Sequence, residues 1–280
     1  MREARSVELV VISDVHLGTF GCRAKELLHY MKSINPECII LNGDIIDIWQ
    51  FNKRYWPKSH MKVIKHLLKW IVEGKKIYYI TGNHDEMLRR FKNFRVENFE
   101  IVNKIVLELK GGKAWFFHGD VFDVTMQYSK FLTKLGGVGY DTLILINSCI
   151  NYLLLQLGYP RLSLSKTIKN SVKSAVKYIN QFEKIAVKVA ASNQYKYVVC
   201  GHIHQPNIEI YKYKGRKITY LNSGDWIENL SALEYKNGRW KIHYHNPEDY
   251  QLPENFNLEE SKSTQELFAD MLHEFNLMKN

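Results

Sequence analysis

Asp, Asn and His, side chains able to hold divalent cations, recur in this 280-residue chain where apolar runs stop. VELVVIS at 7–13 leads to Asp14 and His16, ECIILN at 37–42 to Gly43, Asp44 and Asp47, and KKIYYIT at 75–81 to Gly82, Asn83, His84 and Asp85. KAWFFH at 113–118 ends in His118, Gly119 and Asp120, and KYVVC at 196–200 in Gly201, His202, Ile203 and His204. Oxygen and imidazole donors without thiolate suit Mn²⁺, Fe or Zn²⁺ rather than a cysteine-bound structural zinc. In an extended DVH, Asp14 and His16 share one side of the chain. GHIH has the same spacing, although its two imidazoles could also straddle two ions. Donors from five strand ends exceed what one ion takes from protein; two ions sharing a carboxylate would accommodate them. Such ions, about 3.5–4 Å apart, clamp the attacking and leaving oxygens of an in-line displacement and make a nucleophile of water at neutral pH. Phosphoester or phosphoanhydride hydrolysis is the reaction expected. On residue type alone, His84 reads as a further ligand.

The elements that must position these donors follow from periodicity. The apolar runs, with KITYLN at 217–222, are rich in Val, Ile, Tyr and Phe and read as strands. Helical spacing separates the first three: 22–33, with Leu27, Leu28 and Met31 on one side, and 58–73, with Val63, Ile64, Leu67, Leu68 and Ile71. Strand, helix, strand at that spacing predicts parallel pairing in an α/β sheet. Ligands of open α/β sheets lie outside the carboxyl ends of the strands, so donors dispersed in sequence should converge. The glycines at 43, 82, 119 and 201 suit the sharp turns of a crowded site. ALEYKNGRWKIHYH predicts a hairpin turning at Asn237-Gly238. One domain is expected over 1–250, with a helical cap inserted at about 121–192, followed by a helical tail over 251–280. Asp85 reads either as a group supporting the donors from behind or as the cap of the helix that follows it, with the cap preferred.

A hydrophobic content of 45% allows a sizeable core, and a formal charge of +10 favours anionic partners. Cys22, Cys38, Cys149 and Cys200 have no CxxC spacing and read as reduced thiols of a cytoplasmic protein. The apolar run in MREARSVELVV is too short for a secretory signal. The segment 142–159 is broken by Asn147, Ser148, Asn151 and Gln156, and a spanning helix needs about 20 mostly apolar residues. Lys58, Lys62, Lys65 and Lys69 form one basic stripe at helical spacing; Lys166, Lys169, Lys173, Lys177, Lys184 and Lys188 form another. The two could hold the protein peripherally at the inner face of the cell membrane.

The blocks DVH, GDIID, GNHD, HGD and GHIH, in this order over about residues 7–226, resemble those of the calcineurin-like metallophosphoesterase superfamily. The resemblance implies an αββα sandwich, two packed mixed β-sheets flanked by helices, and a pair of divalent ions, with manganese the first choice and iron or zinc the others. It implies that Asp14, His16 and His204 hold one ion, that Asn83, His118 and His202 hold the other, and that Asp44 bridges. His84 then stands by the substrate phosphate, oriented by Asp47. LGT after DVH, GDIIDIW, a helical insertion after HGD and NSGDW at 222–226 are similar to the UDP-2,3-diacylglucosamine diphosphatases of lipid A biosynthesis. Members of that group typically carry arginine where this chain has His84. The substrate so implied is a lipid-linked nucleotide sugar, with Asn83, Arg161, Ser163, Ser165 and Lys166 as candidate contacts. A nuclease or general nucleotide phosphodiesterase is the second reading, and a non-catalytic scaffold of the same fold the third.

Overall fold

Leu9 and Val11 of the first strand face one buried cluster while Val10 and Ile12 face another, so this strand has apolar surface on both sides. That is the mark of a sheet covered on each face. The computed structural model describes residues 4–49, 55–125 and 165–246. In chain order these form β1 (Arg5–Ile12), α1 (Ala24–Ser33), β2 (Ile34–Asn42), α2 (Lys58–Val72), β3 (Lys76–Ile80), a 3₁₀ turn (Glu86–Phe91), β4 (Arg95–Val96), β5 (Phe99–Val102), β6 (Lys104–Leu109), β7 (Gly112–Phe117), α3 (Val121–Thr125), α4 (Ser165–Ser192), β8 (Tyr197–Cys200), β9 (Asn207–Tyr213), β10 (Arg216–Asn222), β11 (Ser231–Lys236) and β12 (Arg239–Tyr244).

The strands make a seven-stranded sheet, β12-β11-β1-β2-β3-β5-β4, and a five-stranded sheet, β6-β7-β8-β10-β9. Both are mixed: β1, β2, β3 and β5 run parallel, as do β7, β8 and β10, with antiparallel strands at the edges. Their facing surfaces meet through Leu9, Val11, Ile40 and Ile80 on one side and Phe116, Val199 and Leu221 on the other. Helices α1 and α2 cover the outer face of the large sheet through Tyr30, Met31, Val63 and Trp70. Helix α4 covers the small sheet through Phe182, Ala186 and Ala190. The result is the four-layered αββα architecture.

The six strands read from apolar runs are all present, as are the two early helices, the parallel pairing and the hairpin. Leu68 departs from the expected buried face of α2: it is 54% exposed, and Trp70 and His60 are buried instead. Strands β4, β6 and β9, with exposed or alternating patterns, and the four-residue β5 are additional to the strands expected. Of the inserted region, α3 and α4 are described; 126–164 lie outside the described residues, as do Cys149, Arg161 and Ser163 and the expected tail. Among the described residues no helix is long and apolar enough to cross a membrane, and Cys22, Cys38 and Cys200 are free thiols. Burial pushes the Cys38 thiol up to about 12.

The buried His60 ring fastens α2 to the loop after β1, accepting the Gly18 N–H at Nδ1 over 3.0 Å. Burial pulls its pKa down to about 4, against about 6.5 in an unfolded chain. The unfolded state therefore binds the extra proton between those values, and stability falls as pH drops through that window. Thermal melts of wild type and His60→Phe should lie furthest apart at pH 7 and approach each other by pH 4; a gap independent of pH would contradict this.

Candidate dinuclear metal centre

Three of the strands that approach the site, β1, β2 and β8, lead into a backbone conformation L-residues seldom adopt. Asp14, His16, Asp44, His202 and His204 have φ between 51° and 67°. The expectation that DVH continues as an extended strand is therefore corrected: β1 ends at Ile12, and the two donors reach one side through left-handed turns. Such conformations cost on the order of 1–3 kcal/mol each and persist where surrounding bonds over-determine them. Here the bonds are between loops. Asp14 N–H donates to Gly43 O (3.1 Å), His16 N–H to Asp44 O (2.9 Å), Gly201 N–H to His118 O (2.9 Å) and Trp226 N–H to Asp14 O (3.0 Å). Gly82 has no alternative, because a Cβ there would overlap Asp44 Oδ1.

These turns bring the donors together. Asp14, His16 and His204 offer ligand atoms all within 4.8 Å of one another, as do Asp44, His118 and His202, and as do His16, Asp44 and His84. Asp14, His16, Asp44 and His118 are buried, whereas Asn83, His84, His202 and His204 lie at the partly open mouth.

The hydrogen bonds of the rings decide what they present. His118 Nδ1–H donates to Asn42 O over 2.9 Å, which leaves Nε2 toward Asp44 Oδ2 at 3.2 Å and Asn83 Oδ1 at 3.3 Å. In the neutral ring, three lone-pair atoms would face each other with no hydrogen between them, an arrangement that a cation satisfies. His16 Nδ1 meets Asp47 Oδ2 at 3.1 Å, and its buried Nε2 has no hydrogen-bond partner among the described residues. A carboxylate behind an imidazole fixes the tautomer and strengthens the outward nitrogen as a ligand. The same Asp47 oxygen meets His84 Nδ1 at 2.8 Å.

The electrostatics agree. Burial opposes ionisation of Asp44, but the facing His118 outweighs it and holds the carboxyl well below the usual range. Burial likewise opposes charge on His204, yet Asp14 beside it pushes that ring up to about 9. Burial works against a proton on His84 too, and the bond to Asp47 with the charge of Asp44 reverses the sign, so its pKa is raised. The pocket favours positive charge, and its O and N donors without thiolate fit divalent ions of the Mn²⁺, Fe or Zn²⁺ kind.

A buried carboxylate flanked by imidazoles, at the seam of two mixed sheets, is the arrangement on which a family profile, calcineurin-like phosphoesterase, also matches over residues 7–206. The chain belongs to that family. Members are metal-dependent phosphoester hydrolases. Among curated relatives, a UDP-2,3-diacylglucosamine hydrolase of Aliivibrio fischeri is 24% identical over 84% of this chain and 97% of its own. One of Marinobacter nauticus is 24% identical over 80% and 91%. A solved structure described as a novel archaeal phosphodiesterase aligns over 84% of this chain and 98% of its own, at 15% identity and a TM-score of 0.44.

The family match ends at Pro206, but the site does not. Asp225, in the NSGDW stretch, is buried and accepts the N–H groups of Ile227, Glu228 and Asn229 at Oδ1. Its Oδ2 accepts the Asn229 side-chain amide, which also donates to His204 O, and lies 3.7 Å from His204 Nδ1. Reading by motif assigned Asp225 no role, although NSGDW itself was the available signal. Nor did it find Asp123, 3.0 Å from His202 Nε2, or Trp49, half exposed with its ring 5.5 Å from that of His84. Ser165 and Lys166 stand in the first turn of α4.

Asp85 corrects a sequence expectation. It precedes the 3₁₀ turn without a side-chain cap bond and points inward, accepting Gly82 N–H (2.6 Å), Ile45 N–H (3.0 Å) and Tyr79 O–H (2.6 Å). It is the buried peg beneath the GNHD turn. Each donor stranded by Asp85→Ala costs about 1–3 kcal/mol, so urea unfolding should show a loss of about 3 kcal/mol or more. A surface-like loss under about 0.5 kcal/mol would refute the peg.

Proposed function

We propose that the protein is a dimetal phosphohydrolase acting on the pyrophosphate of a lipid-linked nucleotide sugar of the UDP-diacylglucosamine kind. The observation that carries the dimetal part is the sharing of Asp44 between two donor groups, one with His118 and His202, the other with His16 and His84. Asp14, His16 and His204 would hold one ion, Asn83, His118 and His202 the other, and Asp44 both; Mn²⁺ is the first choice, with Fe or Zn²⁺ as substitutes. When bound, such a pair supplies a nucleophile from water at neutral pH and draws charge from the phosphoryl oxygens.

His84 then belongs to the substrate. Its Nδ1 is tied to Asp47, which leaves Nε2 as the atom offered to a phosphate oxygen or to the departing group. The bond to Asp47, which the ions would leave in place, favours a proton on the ring, as an acid for the leaving group requires. The substrate class is supported by relatives that this chain covers nearly end to end. It is supported also by basic surfaces outside the acidic pocket: Lys58, Lys62, Lys65 and Lys69 on α2 are all exposed, as are Lys177, Lys184 and Lys188 on α4. Each lysine near an anionic leaflet adds about 1 kcal/mol, so either face, though not both at once, favours peripheral placement at the inner membrane face. Arg161, Ser163, Ser165 and Lys166 remain candidates for the head group.

One observation favours a second reading, a general nucleotide phosphodiesterase: His84 stands where arginine is typical of the lipid A diphosphatases. A nuclease is less well supported, because Trp70 is buried and Tyr178 is hydrogen-bonded to Asp123, which leaves neither as a stacking platform on the basic faces. Mass spectrometry of products from Mn²⁺-loaded protein should show UMP from UDP-diacylglucosamine and little turnover of bis(p-nitrophenyl) phosphate; the reverse pattern selects the second reading. His84→Ala should retain two ions per chain by elemental analysis while kcat falls about 10²–10⁴-fold. Loss of an ion instead would make His84 a ligand.

A further inference from the structure

His202, like His16, has a carboxylate behind it, but this one comes from the inserted region. Both oxygens of Asp123 lie 3.0 Å from its Nε2, and Tyr178 donates its hydroxyl hydrogen to Asp123 Oδ1. The His202 N–H donates to both oxygens of Asp14, at 3.2 and 3.1 Å, which fixes the backbone but leaves ring rotation to be set elsewhere. A carboxylate with both oxygens on Nε2 holds the hydrogen there, and Nδ1 then carries the lone pair. Phe182 packs its ring 6.3 Å from that of His202, and a Cβ at Gly119 would come within 2.6 Å of Phe182 Cζ, so the space on that side is filled.

Asp123 stands in α3 and Tyr178 and Phe182 in α4, the first and last described elements of the region 121–192. The two roots of the insertion thus close on one imidazole of the metal centre. We infer that Asp123, steadied by Tyr178, is a positioning residue for His202 and sets the affinity of the second ion, the one His202 would share with Asn83 and His118. The inference rests on the dimetal reading. It adds a physical link between the insertion and the metal centre: a shift of α4 against α3 withdraws Tyr178 from Asp123 and loosens the ring that Asp123 orients.

Loss of such a carboxylate behind a ligating histidine lowers metal affinity about 10–100-fold. Mn²⁺ titration of full-length apo-protein, followed by calorimetry and by electron paramagnetic resonance, tests the inference without substrate. Wild type should bind two ions and show the spectrum of a spin-coupled pair. Asp123→Ala should bind the first ion as wild type does and the second about 10–100-fold more weakly, so that one equivalent of Mn²⁺ gives an uncoupled spectrum. Asp123→Asn, whose amide oxygen still accepts the Nε2 hydrogen, should recover part of the loss, and Tyr178→Phe should lose less than Asp123→Ala. Equal affinity for both ions in Asp123→Ala and wild type overturns the inference, and so does an equal loss of both ions. A wild-type protein that binds only one ion overturns instead the dimetal reading beneath it.

Discussion

Two buried carboxylates govern this molecule. Asp14 and Asp44 lie at the ends of adjacent parallel strands, out of water, with imidazoles rather than fixed cations around them. A buried charge is tolerated only when paired and hydrogen-bonded. Each carboxylate receives one backbone N–H, from His202 on Asp14 and from His84 on Asp44, which is too little to offset desolvation of a full charge. Protons or cations must make up the difference, and the raised pKa values of His118 and His204 are the protonic form of that demand. Ions held by these carboxylates would at the same time return the rings to their neutral, ligating state.

That demand explains why the backbone accepts strain where it does. The five left-handed residues at the site are donors or would-be donors, and none belongs to a strand or helix. The alternative, five glycines, would relax the turns and remove the ligands. Strain is compensated by bonds that run from loop to loop and across the sheets, such as Ser13 Oγ to Ser223 Oγ at 2.6 Å and Gly201 N–H to His118 O. A sandwich of two sheets suits this arrangement because both sheets direct carboxyl-terminal strand ends to one seam, where donors from β1, β2 and β3 meet those from β7 and β8.

Much of this is legible in the chain itself, and the parts that are not share a cause. Period and residue type locate β1, β2, β3, β7, β8 and β10 because these strands are covered on both faces and carry unbroken apolar runs. β6 and β9 lie at the edges of the small sheet with one face open, so they alternate or stay exposed and lack the unbroken apolar run that marks the others. The division into two sheets depends on which strands pair across the seam, a long-range choice on which local pattern is silent. Within the site, the donors stand out because they interrupt apolar runs; the groups behind them do not. Asp123 looks like any acidic residue in a first helical turn, and Asp85 like a cap. Their inward direction comes from tertiary placement. Asp14 and His16 do lie on one side, but the left-handed turn, not strand alternation, brings them there.

The charge of the whole chain and the charge of its pocket have opposite signs, and the contrast bears on how an anionic substrate would arrive. The chain carries a net +10 and exposes lysines on α2 and α4, while the carboxylates of the site are sunk beneath His84, His202 and His204. Over a Debye length of about 8 Å at physiological salt, an approaching phosphate meets lysines and imidazoles before it senses Asp14 or Asp44. Bound cations would extend this positive gradient to the floor of the pocket. The lysines of α2 and the outer face of α4 flank opposite sides of the sandwich, across both sheets from each other, so a single flat membrane cannot engage both stripes at once. One helix face can rest on an anionic surface while the other contributes only to long-range attraction, and the partly open mouth formed by Asn83, His84 and His204 lies at the seam between them.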